Sequence, residues 1–222
     1  MSWSREVADL AGARAALAEP GDVLDLRVAA ELDDQWAALG FEELVPGELV
    51  RPLMLQLDDV TATRSLGERL AADLRAGDLV VLSGPLGAGK TALAQGIGAG
   101  LGVTGAVTSP TFVLARVHRG PVPLVHVDAY RLRGSDGGGP GPGGTDLDLD
   151  DLELDEWLPD SVTVVEWGEG VVEGLSPSRL EIELARPSST PSAGAHADVR
   201  FVTVRAHGPR WVQSQRPAAG RG

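Results

Sequence analysis

The stretch GPLGAGKT, Gly84 to Thr91, holds the only lysine of this 222-residue chain; the other 18 of its 19 Lys and Arg residues are arginine. The spacing Gly84-x-x-x-x-Gly89-Lys90-Thr91 is that of a phosphate-binding loop. Each residue type meets a chemical need. Gly84, Gly87 and Gly89 let the backbone bend so that successive N–H groups point at one anion, with Leu86 and Ala88 between them. A helix starting near Lys90 adds its positive end. The Lys90 ammonium reaches β- and γ-phosphates as a compact point charge, and the Thr91 hydroxyl is a ligand for Mg²⁺. Arginine serves surface charge equally well but is bulkier in such a loop, which accounts for a lysine kept here alone.

The flanks agree with that reading. LVVLSG (79–84) is apolar on both faces, as a buried parallel strand is, and the residues from Lys90 to about Leu101 continue as a helix. Upstream, MLQLDD (54–59) reads as a short strand. Thr61 or Thr63 is placed to cap a helix running to about Arg75, with Leu66, Leu70 and Leu74 four apart. Downstream, TFVLARVHR (111–119), PLVHVDAYR (123–131), SVTVVEW (161–167), RLEIELA (179–185) and DVRFVTVRA (198–206) read as strands, the last two as a closing hairpin. These elements predict an α/β fold: a single small domain with a mixed β-sheet flanked by helices, of the P-loop NTPase type.

Residues 1–55 read as an N-terminal extension of Ala-rich helical pieces followed by a short turn-rich stretch, with no evident chemistry. GSDGGGPGPGGT (134–145) buries nothing and is expected to be a disordered insertion, as is the tail from about 209 to 222. The domain proper is therefore expected over 56–208.

Composition narrows the function. There is no cysteine, hence no disulfide framework or thiolate chemistry. No apolar run resembles a signal peptide or a membrane span, so a soluble cytoplasmic protein is expected. A net charge of −13 argues against a broad phosphate-backbone footprint; direct DNA binding is not expected, and any nucleic acid is reached through a partner. Guanine-reading loop enzymes use an Asn/Thr-Lys-x-Asp motif. This chain has no asparagine and its one lysine is committed, which favours ATP or weak base selectivity.

A phosphate loop also needs a carboxylate for the metal or the attacking water at the end of a neighbouring strand. Asp128, after LVHV, and Glu166, after VTVV, both qualify, and residue type alone does not choose between them. SPTF (109–112) is either a switch loop or a plain loop entering a strand. Arg131 and Arg133 follow the second of those strands and can approach a phosphate. The acidic run DLDLDDLELDE (146–156) fails as a calcium loop: its sixth position is Asp151 rather than glycine, its twelfth Trp157 rather than glutamate. It reads as part of a short acidic helix, roughly 147–158, that packs Leu154 and Leu158 inward. The four histidines form no metal cluster in the sequence.

Six motifs in register, TATRSLGERLA (61–71), GPLGAGKT (84–91), SPTF (109–112), HVDAYRL (126–132), LDEWL (154–158) and VEWGE (165–169), resemble the TsaE family of bacterial tRNA threonylcarbamoyladenosine biosynthesis ATPases, formerly YjeE, over residues 56–208. The resemblance implies a small Mg-ATP hydrolase. It would act with TsaB- and TsaD-like partners that install threonylcarbamoyl on adenosine 37 of ANN-decoding tRNAs, and would drive turnover of that complex. It further implies Gly84 to Thr91 with Ala92 as the ATP loop, and Lys90, Asp128 and Glu166 as catalytic residues. Thr91 and Glu166 become the metal side, Thr63 and Arg131 nucleotide neighbours, Tyr130 a neighbour of the switch residue Asp128, and Trp167 a packing residue. The extension and the 134–145 insertion lie outside the family pattern. A small-molecule kinase would need an arginine-bearing lid, and none is evident. A non-hydrolysing scaffold would have little use for both Asp128 and Glu166.

Overall fold

A computed structural model describes residues 2–6, 23–28, 42–45, 48–110, 114–131, 154–187, 198–208 and 210–211. The insertion 134–145, Arg133, Thr111 and Phe112 of the SPTF motif, residues 147–153 of the acidic helix and residues 212–222 of the tail lie outside the described residues.

Near the N-terminus, β1 (Ser2–Glu6), β2 (Val23–Val28), β3 (Glu42–Val45) and β4 (Glu48–Arg51) form a sheet of order β1-β2-β4-β3. β1 and β2 are parallel, and the other pairs are antiparallel. The Ala-rich stretches expected to be helical, at 7–22 and 29–41, lie outside the described residues, and the described parts of the extension are strands. In β2, Leu24, Leu26 and Val28 alternate with Asp25 and Arg27, a period of two that suits a strand.

The second sheet has seven strands: β5 (Leu53–Leu57), β6 (Leu79–Ser83), β7 (Ala115–His118), β8 (Leu124–Asp128), β9 (Val162–Glu166), β10 (Arg179–Ala185) and β11 (Arg200–His207). Their order is β5-β11-β10-β6-β9-β8-β7. The four central strands β10, β6, β9 and β8 are parallel; β11 runs against both β10 and β5, and β7 against β8. The sheet is mixed, as expected. The break expected between 55 and 56 falls inside β5, because Leu53, Leu55 and Leu57 continue one alternating run that pairs with β11.

Two helices, α1 (Val60–Ala71) and α2 (Lys90–Gly100), cover one face of this sheet. Leu66, Leu70, Leu93 and Ile97 meet Val80, Leu82, Val164, Ile182 and Val204 there. The opposite face over β6, β8 and β9 is closed by Leu154 of the short helix α3 (Leu154–Trp157) and by Val172. Inward packing of Leu154 agrees with the sequence reading, and Leu158 packs against the same cluster.

Two local readings change. Asp59, not a threonine, caps α1: its carboxylate accepts from the Ala62 amide at 2.7 Å, and the Thr63 hydroxyl donates back to the Asp59 carbonyl at 3.0 Å. The helix stops at Ala71 rather than near Arg75. Beyond it, the Asp78 carboxylate accepts from the Arg75 amide at 2.8 Å and holds the chain in a turn leading to β6.

The tail reading also changes at its first described residues. Arg210 donates to both Asp78 oxygens at 3.0 Å and to the Asp73 carbonyl at 2.7 Å, while Trp211 is buried in the main core. The aromatic surface of Trp211 supplies a reason for this order that a count of Gly, Pro and Gln does not reveal.

Candidate nucleotide site

The loop between β6 and α2 lies at the carboxyl ends of the four parallel strands, where open α/β sheets bind their ligands. Its glycines are there for space as well as for curvature. Gly84 has φ of +124°, and a Cβ on it would collide with the Leu184 carbonyl oxygen of β10. Gly89 caps α2 with φ of +110°, in the left-handed region that side-chain-bearing residues avoid. The Ala88 amide closes a turn on the Pro85 carbonyl at 3.1 Å, and Ala88 itself is buried. Thr91 and Ala92 fall in the first turn of α2, where backbone N–H groups have no helical acceptor. The loop borders a cleft of about 500 Å³.

Lys90 is folded back over the loop. Its Nζ donates to the Gly84 carbonyl at 2.7 Å and to the Pro85 carbonyl at 3.1 Å, and lies 3.5 Å from the ring centre of Trp167. Burial lowers its pKa, opposed by the nearby carboxylates of Glu166 and Asp128. Trp167 follows β9 with φ of +63°, a conformation costly for a side chain of its size, and Tyr130 packs on its ring at 5.2 Å.

Beside the lysine, the Thr91 hydroxyl donates to Glu166 Oε1 at 2.8 Å, with Oε2 at 3.1 Å. The same Oε1 lies 2.9 Å from His126 Nε2, and both residues are buried. Asp128 pairs with Glu166 in the β8–β9 register. Its Oδ1 accepts from the Tyr130 amide at 3.1 Å, and its own amide donates to the Leu114 carbonyl at 2.8 Å. Leu114 in turn donates to the Pro110 carbonyl at 2.8 Å, so the backbone after SPTF is tied to Asp128. Ser109 borders the cleft. A hydroxyl and a carboxylate side by side next to a buried ammonium form the donor set for a hard divalent ion and a polyphosphate.

The structure therefore brings together Gly87, Gly89, Lys90, Thr91, Asp128 and Glu166 around one cleft, with Leu86 87% exposed at its rim. Thr63 stands apart from the opening: it is buried, and its methyl group faces Gly89 from behind the loop. Val60, at the start of α1, borders the cleft instead. Arg131 ends a 3-10 turn after β8. Three further residues stand around the site: His126, Val60 and Arg200. A signal for His126 was present. On a strand it shares a face with Asp128, two residues on, so HVD places both side chains on one side.

The family model described as "Threonylcarbamoyl adenosine biosynthesis protein TsaE" matches residues 57–193. The chain belongs to the TsaE family. A "tRNA threonylcarbamoyladenosine biosynthesis protein TsaE" from Streptomyces coelicolor is 58% identical over 67% of this chain and 93% of its own length. A Mycobacterium tuberculosis TsaE is 50% identical over 66% of this chain and 83% of its own length. Among solved structures, that of Bacillus subtilis YdiB superposes with a TM-score of 0.54 at 30% identity, covering 72% of this chain and 88% of the other. The TsaE-type sheet and loop described above are therefore a P-loop NTPase fold.

Proposed function

We propose that this chain is the ATPase subunit of the machinery that forms N6-threonylcarbamoyladenosine at position 37 of ANN-decoding tRNAs. The observation that carries the reading is the Thr91–Glu166 pair beside Lys90, in one cleft of a TsaE-family chain. Mg-ATP fits the residues present. The positive-φ glycines leave a cradle that a Cβ would fill, and Thr91 and Glu166 supply hard oxygen donors for the metal. Bound Mg²⁺ supplies neutralisation of charge on the transferring phosphoryl group. Gly84 to Thr91 bind the phosphates through backbone amides. Lys90 exchanges the carbonyls of Gly84 and Pro85 for phosphate oxygens, which answers the cost of its burial. His126 holds the Glu166 carboxylate in place, and Asp128 supports hydrolysis as the switch residue next to it. Trp167 and Tyr130 wall the site.

The relatives' names, which specify tRNA threonylcarbamoyladenosine biosynthesis, support placing this chain in the same process. Its partners are TsaB- and TsaD-like proteins of the transfer complex, whose turnover ATP hydrolysis drives. The net charge of −13 fits a protein that meets tRNA through those partners, in the cytoplasm. No helix among the described residues is long and apolar enough to cross a membrane. The catalytic unit is assigned to the seven-stranded sheet and its helices, from β5 onward.

The test is phosphate release by the full chain with and without the two partners, with Glu166→Ala as control. Slow release alone, stimulation by the partners and loss in the variant are expected. Release that ignores both the partners and the substitution refutes the reading. Loss of the modified adenosine from tRNA on depletion of the protein tests the pathway.

A further inference from the structure

We propose that Gln95 is a positioning residue: its side-chain amide fixes the stretch 107–110, and with it the place of Ser109 at the cleft, to the helix that carries Lys90 and Thr91. The inference rests on the reading of this cleft as a site of ATP hydrolysis. It begins with a piece of backbone that has no ladder to hold it. Residues 106–110 belong to no helix or strand, yet Ser109 borders the cleft. Irregular backbone takes its place from the side chains and loop groups that bond to it.

The seat for this stretch is on α2. Gln95 Nε2 donates to the Val107 carbonyl at 3.1 Å. Three residues on, Gly98 leaves room for the Val107 side chain: a Cβ there would stand 2.6 Å from Val107 Cγ2. Val107 is thus held against α2 by its carbonyl and by its side chain, at two positions that share a helix face. Thr91 precedes Gln95 by four residues and lies on that same face. The helix is therefore a rigid spacer between the metal-side hydroxyl and residues 107–110. Farther along, Arg116 of β7 donates to the Thr108 hydroxyl, and the Leu114 amide to the Pro110 carbonyl.

The amide has one orientation. Its Oε1 accepts from Arg64 Nε of α1 at 3.1 Å. An arginine Nε–H only donates and a backbone carbonyl only accepts, so a turned amide would set donor against donor and acceptor against acceptor. The two ends of Gln95 therefore do separate work. Oε1 ties α2 to α1, whereas Nε2 holds the 107–110 stretch. Glutamate at this position keeps the first contact and opposes two oxygens at the second. Lysine does the reverse: it donates to the carbonyl and repels Arg64. A packing role and a positioning role thus predict opposite rankings of the two substitutions.

Two measurements on the full chain test this: kcat and KM for ATP in the presence of its partners, and hydrogen exchange of residues 106–110 with and without Mg²⁺ and a non-hydrolysable ATP analogue at saturation. Gln95→Glu and Gln95→Met are each expected to lower kcat by about five- to tenfold, with KM and Mg²⁺-free ADP affinity within about twofold of wild type. Gln95→Lys restores the donor at Val107 and should recover most of the lost kcat. The bound analogue should slow exchange at 106–110 in wild type and in Gln95→Lys, but not in Gln95→Glu. Wild-type kcat in both Gln95→Glu and Gln95→Met overturns the inference alone. A loss in Gln95→Glu that Gln95→Met does not share overturns it by assigning the effect to the new charge. Equal losses in all three variants, or losses that follow the melting temperature, overturn it by assigning Gln95 to helix packing. Exchange at 106–110 that responds to the analogue equally in wild type and Gln95→Glu also overturns it. A wild-type chain that hydrolyses no ATP with its partners overturns the reading of the cleft, and this inference with it.

Discussion

The two ends of the cleft are built on opposite principles. At the Glu166 end, the polar groups satisfy one another: Thr91 and His126 hold the carboxylate, and Lys90 rests on two loop carbonyls against Trp167. At the hairpin end, Arg200 is buried beside Gly89, and among the described residues its carboxylate neighbour is the exposed Asp198, 3.6 Å away. The first end is preorganised but must exchange partners to act. The second has less to exchange: among the described residues Arg200 meets the Val199 carbonyl at 3.1 Å and the Asp198 carboxylate at 3.6 Å. On the proposed function, metal-dependent turnover belongs to the first end.

The strongest way to break this comparison is at Lys90. Lys90→Arg keeps the charge and changes its shape; hydrolysis is expected to fall by about a thousandfold, with an unchanged circular dichroism spectrum. Turnover near wild type in that variant would show that charge alone suffices. Glu166→Gln comes next, with a loss of about a hundredfold in kcat and little change in Mg²⁺-free ADP affinity, measured side by side. If metal-free affinity falls as far as kcat, the assignment of turnover to the first end is lost.

His126→Gln sharpens the same end. The amide can still donate to Glu166 but orients it less firmly, so about a tenfold drop in kcat at constant KM is expected, along with a raised Mg²⁺ requirement. His126→Leu should lose more; equal effects of the two substitutions would assign His126 to packing. The smallest expected effect is on stability. Burial lowers the pKa of Lys90, so as pH rises through that lowered value the folded protein releases a proton that the unfolded chain keeps up to its ordinary value near 10.5. Stability contributed by this group therefore increases with pH across that window. Urea titrations at the two ends of the window should show a gain in wild type that is missing in Lys90→Met. Identical pH slopes would mean that Lys90 keeps an ordinary pKa in the folded protein.

Both ends were not equally legible from the residues. GPLGAGKT announces itself because its glycine and lysine spacing is local, and a loop's chemistry survives being read in one dimension. Asp128 and Glu166 were readable as strand-end acids, but their choice as partners for the loop depends on β9 lying next to β6 and β8 next to β9. The helix cap was misplaced because Asp59 competes with two nearby threonines of similar capping ability. The strands of the N-terminal extension were missed because they are short, four to six residues each, and β3 and β4 fall in a stretch that reads as turn-rich.

By itself, the amino-acid sequence determined the phosphate loop, the class of fold and the family, since these rest on spacing along the chain. Only the tertiary structure decided what the loop faces. It brings Glu166 to Thr91 from 75 residues away, and Arg200 to Gly89 from β11, two strands along from β6. Burial and counter-charge are properties of three-dimensional neighbours, and no one-dimensional pattern carries them.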